Sequence, residues 1–132
     1  MDNRPYANVP RRTFFDLSTC HITADDDSLL TRMLSDSAFD AEVDARCGEF
    51  YCLAKEHGYI LLLGADGISY RGAQELLALG FSLIFVDLLR AVEAAREHDS
   101  SVVGVWLDCD ADASEDLPSI DWETATITEP LR

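Results

Sequence analysis

Three aspartates at alternate positions, Asp108, Asp110 and Asp112, close an apolar run, and Glu115 and Asp116 follow them before Pro118. Carboxylate oxygens at such spacing suit Mg²⁺ or Ca²⁺. Alternate residues of an extended strand share a face, so the three can converge. The segment begins like a calcium loop and then departs from it. Ala113 stands where the turn glycine belongs, and Ser119 where the bidentate glutamate belongs. Without a cation the carboxylates repel one another, and the ordinary role of such a segment is a solvated loop at a strand end.

A second group is Asp16-Leu17-Ser18-Thr19-Cys20-His21. It holds nucleophile and base types, and Asp16 is of a type that orients a histidine. Catalytic triads are, however, assembled from distant segments, because strand neighbours point to opposite faces. Ser18, Thr19 and Thr23 have a simpler use, bonding backbone groups in a turn before a helix.

Cysteines and histidines form the third group. Cys47 and Cys52 lie near His57, while Cys20-His21 and Cys109 are remote in sequence. The paired short spacings of zinc ribbons and fingers are missing, so buried free thiols are expected. Gly64 and Gly67 flank a short loop that lacks the lysine of a phosphate-binding loop. The sequence therefore assigns no catalytic residue, no metal ligand and no cofactor.

The elements that position these groups follow from apolar spacing. Thr13–Ser18 reads as a strand. Thr23 and Asp26 stand in capping-box spacing at the start of a helix. Asp25, Asp26 and Asp27 suit its first turn, where the helix dipole favours negative charge, and Leu29, Leu30, Met33 and Leu34 form its apolar stripe. That helix is expected to fray near Ser35–Ser37, with a second short turn at Phe39 and Val43. Strands at Glu49–Lys55 and Tyr59–Gly64 flank Glu56-His57-Gly58, a hairpin in which Gly58 would supply a positive φ. A helix over Arg71–Leu79 ends at Gly80, and Ser82 caps a longer one that runs to about His98. Val102–Asp108 has the β-branched and aromatic content of a strand buried on both faces. Trp122 is expected to fold back on the core, and Ala125–Thr128 to form an edge strand.

Together these elements predict a single α+β domain over 13–132. Its sheet has about four strands, mainly antiparallel, with helices packed on one face. Residues 1–12 would form a flexible arm.

The 132 residues carry 25 acidic and 10 basic side chains, a formal net charge of −15. Such a charge opposes direct binding to nucleic acid or to anionic membranes and favours basic partners or cations. No segment is long and apolar enough to span a membrane, so a cytoplasmic protein with reduced thiols is expected.

Two motifs resemble those of an uncharacterised bacterial family carried largely on plasmids and other mobile elements. The first is the opening Ser18-Thr19-Cys20-His21-Ile22-Thr23. The second is the closing Asp108-Cys109-Asp110-Ala111-Asp112 with Leu117-Pro118-Ser119-Ile120-Asp121-Trp122. Cys20 stands where that family is expected to carry a small residue, which argues against a chemical role for this thiol. The resemblance implies a gene that travels with accessory DNA, where small acidic proteins are often inhibitors.

The functional expectation is an acidic, non-enzymatic interaction protein. Asp108, Asp110, Asp112, Glu115 and Asp116 would bind a basic surface of a host protein, in the manner of a nucleic-acid mimic or an anti-CRISPR inhibitor. The alternative is a metal-dependent hydrolase built on Asp108, Asp110 and Asp112 with His21.

Overall fold

A computed structural model describes residues 12–48, 50–64, 67–115, 117–124 and 126–129. Asp116 and most of the expected arm, residues 1–11, lie outside the described residues. Strand β1 (Thr13–Ser18) runs through a 3₁₀ turn (Thr19–His21) into helices α1 (Ala24–Ser35) and α2 (Ser37–Cys47). Next come the hairpin β2 (Phe50–Lys55) and β3 (Gly58–Leu63), helices α3 (Tyr70–Leu79) and α4 (Leu83–His98), and strand β4 (Val102–Asp108). A short ribbon of β5 (Ser119–Asp121) and β6 (Thr126–Thr128) follows.

The main sheet has the order β1-β4-β3-β2. The β2–β3 and β3–β4 pairs are antiparallel, and β1–β4 is parallel. The fold is thus α+β with a mixed sheet. The expected edge strand at its C-terminal end instead pairs in a separate ribbon with β5. Among the described residues, no helix is long and apolar enough to cross a membrane.

Helix boundaries are set by side-chain oxygens on orphan backbone N–H groups. Thr23 and Asp26 form a capping box on α1, Asp36 accepts from the N–H groups of Ala38 and Phe39 in α2, and Ser69 and Ser82 cap α3 and α4. Gly80 ends α3 in the left-handed region at φ 110°. The expected short turn at Phe39 and Val43 is a full helix of 11 residues, with Phe39, Val43 and Cys47 as a single buried stripe. Its narrow apolar face explains why the spacing reads weakly.

Asp26 does more than cap its own helix. It is fully buried, and its carboxylate also accepts the Ser82 N–H at 2.8 Å and the Ser82 hydroxyl at 2.6 Å. The N-termini of α1 and α4 are therefore tied to one buried charge, which is stabilised by both helix dipoles. At the opposite end of α4, Arg96 donates to the carbonyls of Leu63, Gly64 and Val102, fastening the helix to β3 and β4.

All four helices contribute to a core beneath one sheet face, which carries Phe50, Tyr59, Leu61, Leu63, Val105 and Leu107. The strand Val102–Asp108 is therefore not buried on both faces. Trp106 is 39 % exposed, and Tyr51 and Leu53 on β2 are 45 % and 49 % exposed. Alternation puts these three on the uncovered face, where Ile60 opposes both Leu53 and Trp106.

Gly58 is not a positive-φ residue, contrary to its expected turn role. It is the first residue of β3, and a Cβ there would lie 1.7 Å from the Leu107 carbonyl oxygen. Close backbone approach to β4, not turn geometry, requires this glycine.

Candidate functional site

The parallel pairing of β1 with β4 brings the two sequence motifs to one end of the sheet. Ser18 pairs with Asp108, and Gly58 flanks Asp108 on its other side. From that row the chain leaves as the 3₁₀ turn, the acidic loop after β4 and the Glu56-His57 hairpin turn.

His21 organises the acidic loop. The side chain is 1 % exposed. Its Nδ1 lies 2.8 Å from the Pro118 carbonyl oxygen, and its Nε2 lies 2.8 Å from the Ser114 backbone nitrogen. A carbonyl requires a donor and an N–H requires an acceptor, so the ring is the neutral tautomer protonated at Nδ1. Both ring nitrogens are consumed, which leaves none for a metal or for proton transfer. Asp16 is exposed on β1 and is not a partner of His21. Ser18 is buried and accepts the Cys20 N–H, and the Trp122 indole donates to the Ile22 carbonyl at 2.8 Å. The opening and closing motifs thus interlock through backbone groups.

Within the loop, Asp108 accepts the Asp110 N–H at 2.9 Å, and the Ala111 N–H reaches the Asp108 carbonyl. This Asx turn re-aims the chain as it leaves the sheet. Asp110, Asp112 and Glu115 are exposed. Among the described residues, Asp108, Asp110 and Asp112 have no arginine or lysine in ion-pair contact. Among the described residues, Arg46 pairs with Glu42 and Glu75, Arg32 with Asp36, and Arg90 with Glu93.

A cleft of about 400 Å³ opens beside the loop, lined among others by Thr19, Asp27, Thr31, His57, Tyr59, Cys109 and Trp122. The Tyr59 hydroxyl donates to Asp27 Oδ1 at 2.6 Å and contacts the Thr31 hydroxyl at 2.8 Å. Burial, and then the bond to Asp27, push Tyr59 up to about 12, so it stays a phenol. A smaller pocket joins Ser18 and Cys20 to Cys109 and Trp122. The carboxylates of Asp108, Asp110 and Asp112 line neither space.

The four cysteines are free. Cys47 is buried, Cys20 and Cys52 are half-buried, and Cys109 is exposed, unlike the buried thiols expected. Sequence spacing misses the proximity of His57 to Cys109, which lie 52 positions apart. The Cys109 N–H donates to the His57 carbonyl at 2.9 Å. That contact follows from the β3–β4 register, which spacing along the chain does not reveal.

No curated protein and no solved structure matches the chain. A family model described as "Family of unknown function (DUF5983) C-terminal domain" matches residues 14–122, a span that holds the main sheet apart from Thr13 and both interlocked motifs, and the chain belongs to that family.

Proposed function

We propose that the protein is a non-enzymatic interaction module whose partner presents an arginine- and lysine-rich surface. The observation that carries this reading is the course of β4. Trp106 and Asp108 share the uncovered sheet face, so an exposed aromatic patch runs directly into the acidic loop. Aromatic anchors beside a charged rim are the usual anatomy of a binding surface. The loop is held in place by His21 rather than left free, which lowers the ordering cost of binding. The carboxylates of Asp108, Asp110 and Asp112 and a net charge of −15 favour a basic partner and hasten its encounter.

Carboxylates in such a ledge substitute for phosphates against arginine and lysine. On that chemistry the partner is a nucleic-acid-binding protein or complex, and the protein competes with nucleic acid for it. The motif resemblance adds a setting, a mobile element whose product restrains a host-defence complex. The hydrolase alternative draws less from the geometry, because His21 has no free nitrogen.

The test is binding to a purified bacterial CRISPR surveillance complex at two salt concentrations, with single-stranded DNA as competitor. Salt-sensitive binding that DNA displaces is the expected result. Asp110→Lys with Asp112→Lys, and separately Trp106→Ala, should each weaken it at least tenfold. Unchanged affinity in the charge-reversed chain would remove the ledge from the interface, and DNA-insensitive binding would end the mimic reading.

A further inference from the structure

His57, Cys109 and Asp110 each bring one ligand atom to within 4.8 Å of the other two. We propose that these side chains form a binding site for a divalent transition-metal ion, foremost Zn²⁺, with the fourth position open to water or to a molecule in the adjoining cleft.

The donor set carries the first argument. Imidazole nitrogen, thiolate sulfur and carboxylate oxygen are the three donor types that zinc uses, whereas Mg²⁺ and Ca²⁺ take oxygen alone. Three protein ligands with one open position is also the composition of catalytic zinc sites. The site is distinct from the acidic ledge as a whole, since Asp110 is the one acidic side chain of that loop that takes part.

Geometry supplies the second. Zinc bonds of ~2.0–2.3 Å place tetrahedral ligand atoms roughly 3.3–3.8 Å apart. Cys109 Sγ already lies 3.8 Å from Asp110 Oδ1. With the donor atoms already within 4.8 Å of one another, the remaining gap is about 1 Å between exposed side chains. The backbone is already fixed, because the Cys109 N–H donates to the His57 carbonyl and the Asp110 N–H to Asp108.

The surroundings supply the third. Glu56 Oε1 stands 3.7 Å from His57 Nε2. If Nδ1 takes the metal, Glu56 orients the ring, as carboxylates do beside ligating histidines. His57 and Cys109 both line the 400 Å³ cleft, so a small molecule there can reach the ion.

The experiment titrates the metal-free chain with Zn²⁺ against a chromophoric chelator, and with Co²⁺ followed by absorption. One ion per chain and a thiolate-to-cobalt charge-transfer band are expected. Cys109→Ser should abolish the band and weaken Zn²⁺ at least tenfold, and His57→Ala should weaken it to a similar degree. Cys20→Ser and Cys52→Ser should bind as the parent does. Absence of micromolar Zn²⁺ binding, a cobalt spectrum without the thiolate band, or less than threefold weakening in both variants would overturn the proposal. Asp112→Lys separates this site from the partner-binding face, because it should impair partner binding and leave metal binding intact.

Discussion

The Nε2 atom of His21 accepts the backbone N–H of Ser114 at 2.8 Å, linking two residues 93 positions apart. The same ring holds the Pro118 carbonyl. A residue of catalytic type at the head of a motif is thus spent on holding a loop. His21→Phe preserves much of the ring volume and removes both bonds, leaving two backbone groups to find water. The expected loss is about 2–3 kcal/mol. Amide exchange at Ser114 should accelerate by more than exchange in α4. Unchanged exchange there would show that the loop does not depend on this ring.

Asp26 is the second buried polar anchor, and it makes a stronger prediction. It receives the N–H of Thr23 as well as two bonds from Ser82. Asp26→Ala strands three donors at once and opens two helix N-termini, a loss of about 3 kcal/mol or more. Asp26→Asn turns an N–H group towards existing donors and should cost about 2 kcal/mol. Chemical denaturation of the two variants checks the order. Equal stability of Asp26→Asn and the parent would show that the charge itself contributes nothing.

How much of this was legible in the sequence follows from the range of each interaction. Thr23 with Asp26, Ser82 with Phe85, and Gly80 act within four residues, and their roles can be read directly. The hairpin around Glu56-His57 was equally local. The tie from Asp26 to Ser82 spans 56 positions and leaves no periodic trace. The parallel β1–β4 pairing is also a choice made by packing, and it decides which motif residues meet. Trp106 reads as core by type, yet none of helices α1–α4 covers its face, and it is 39 % exposed. The acidic loop was visible as an acidic loop, and its clamp by a histidine was not.

Gly104 faces the same constraint as Gly58. A Cβ at Gly104 would lie 1.9 Å from the Leu61 carbonyl oxygen, where β4 is flanked by β3 on one side (Leu62) and by β1 on the other (Phe14). Neither backbone can yield without breaking ladder bonds. Gly104→Ala should cost about 3 kcal/mol, at the upper end for added methyl groups in packed sites. Gly58→Ala, at the strand end, should cost less, because the hairpin turn can shift. Thermal unfolding of the two variants tests the ranking, and an equal effect would locate the strain outside the centre of the sheet.

Alkaline pH should destabilise the protein. Burial pushes the Cys52 thiol up to about 12 and the Cys47 thiol up to about 11, and Tyr59 is also raised to about 12. In the unfolded chain these thiols ionise near 8.5 and tyrosine near 10. Between those values and the folded ones the native state holds more protons than the unfolded state. Stability must then fall as pH rises. It should be flat up to about pH 8 and decline from there towards pH 11. Cys52→Ala with Cys47→Ala should flatten the decline, and a decline unchanged in that double variant would assign it to other groups.

Charge reversal in the loop separates recognition from stability. Asp110 and Asp112 are exposed, without arginine or lysine in ion-pair contact among the described residues. The Asx turn depends on the Asp108 carboxylate, not on theirs. Replacing both with lysine moves the formal charge from −15 by four units to −11. Self-repulsion of the folded chain therefore weakens. The double variant should be equal to the parent or more stable by up to about 1 kcal/mol at low salt. The gain should vanish at high ionic strength, where exposed charges are screened. Melting at two salt concentrations measures this. A stabilised chain that no longer binds its partner would show carboxylates retained for recognition at the expense of stability. A destabilised one would return these two aspartates to the architecture of the loop.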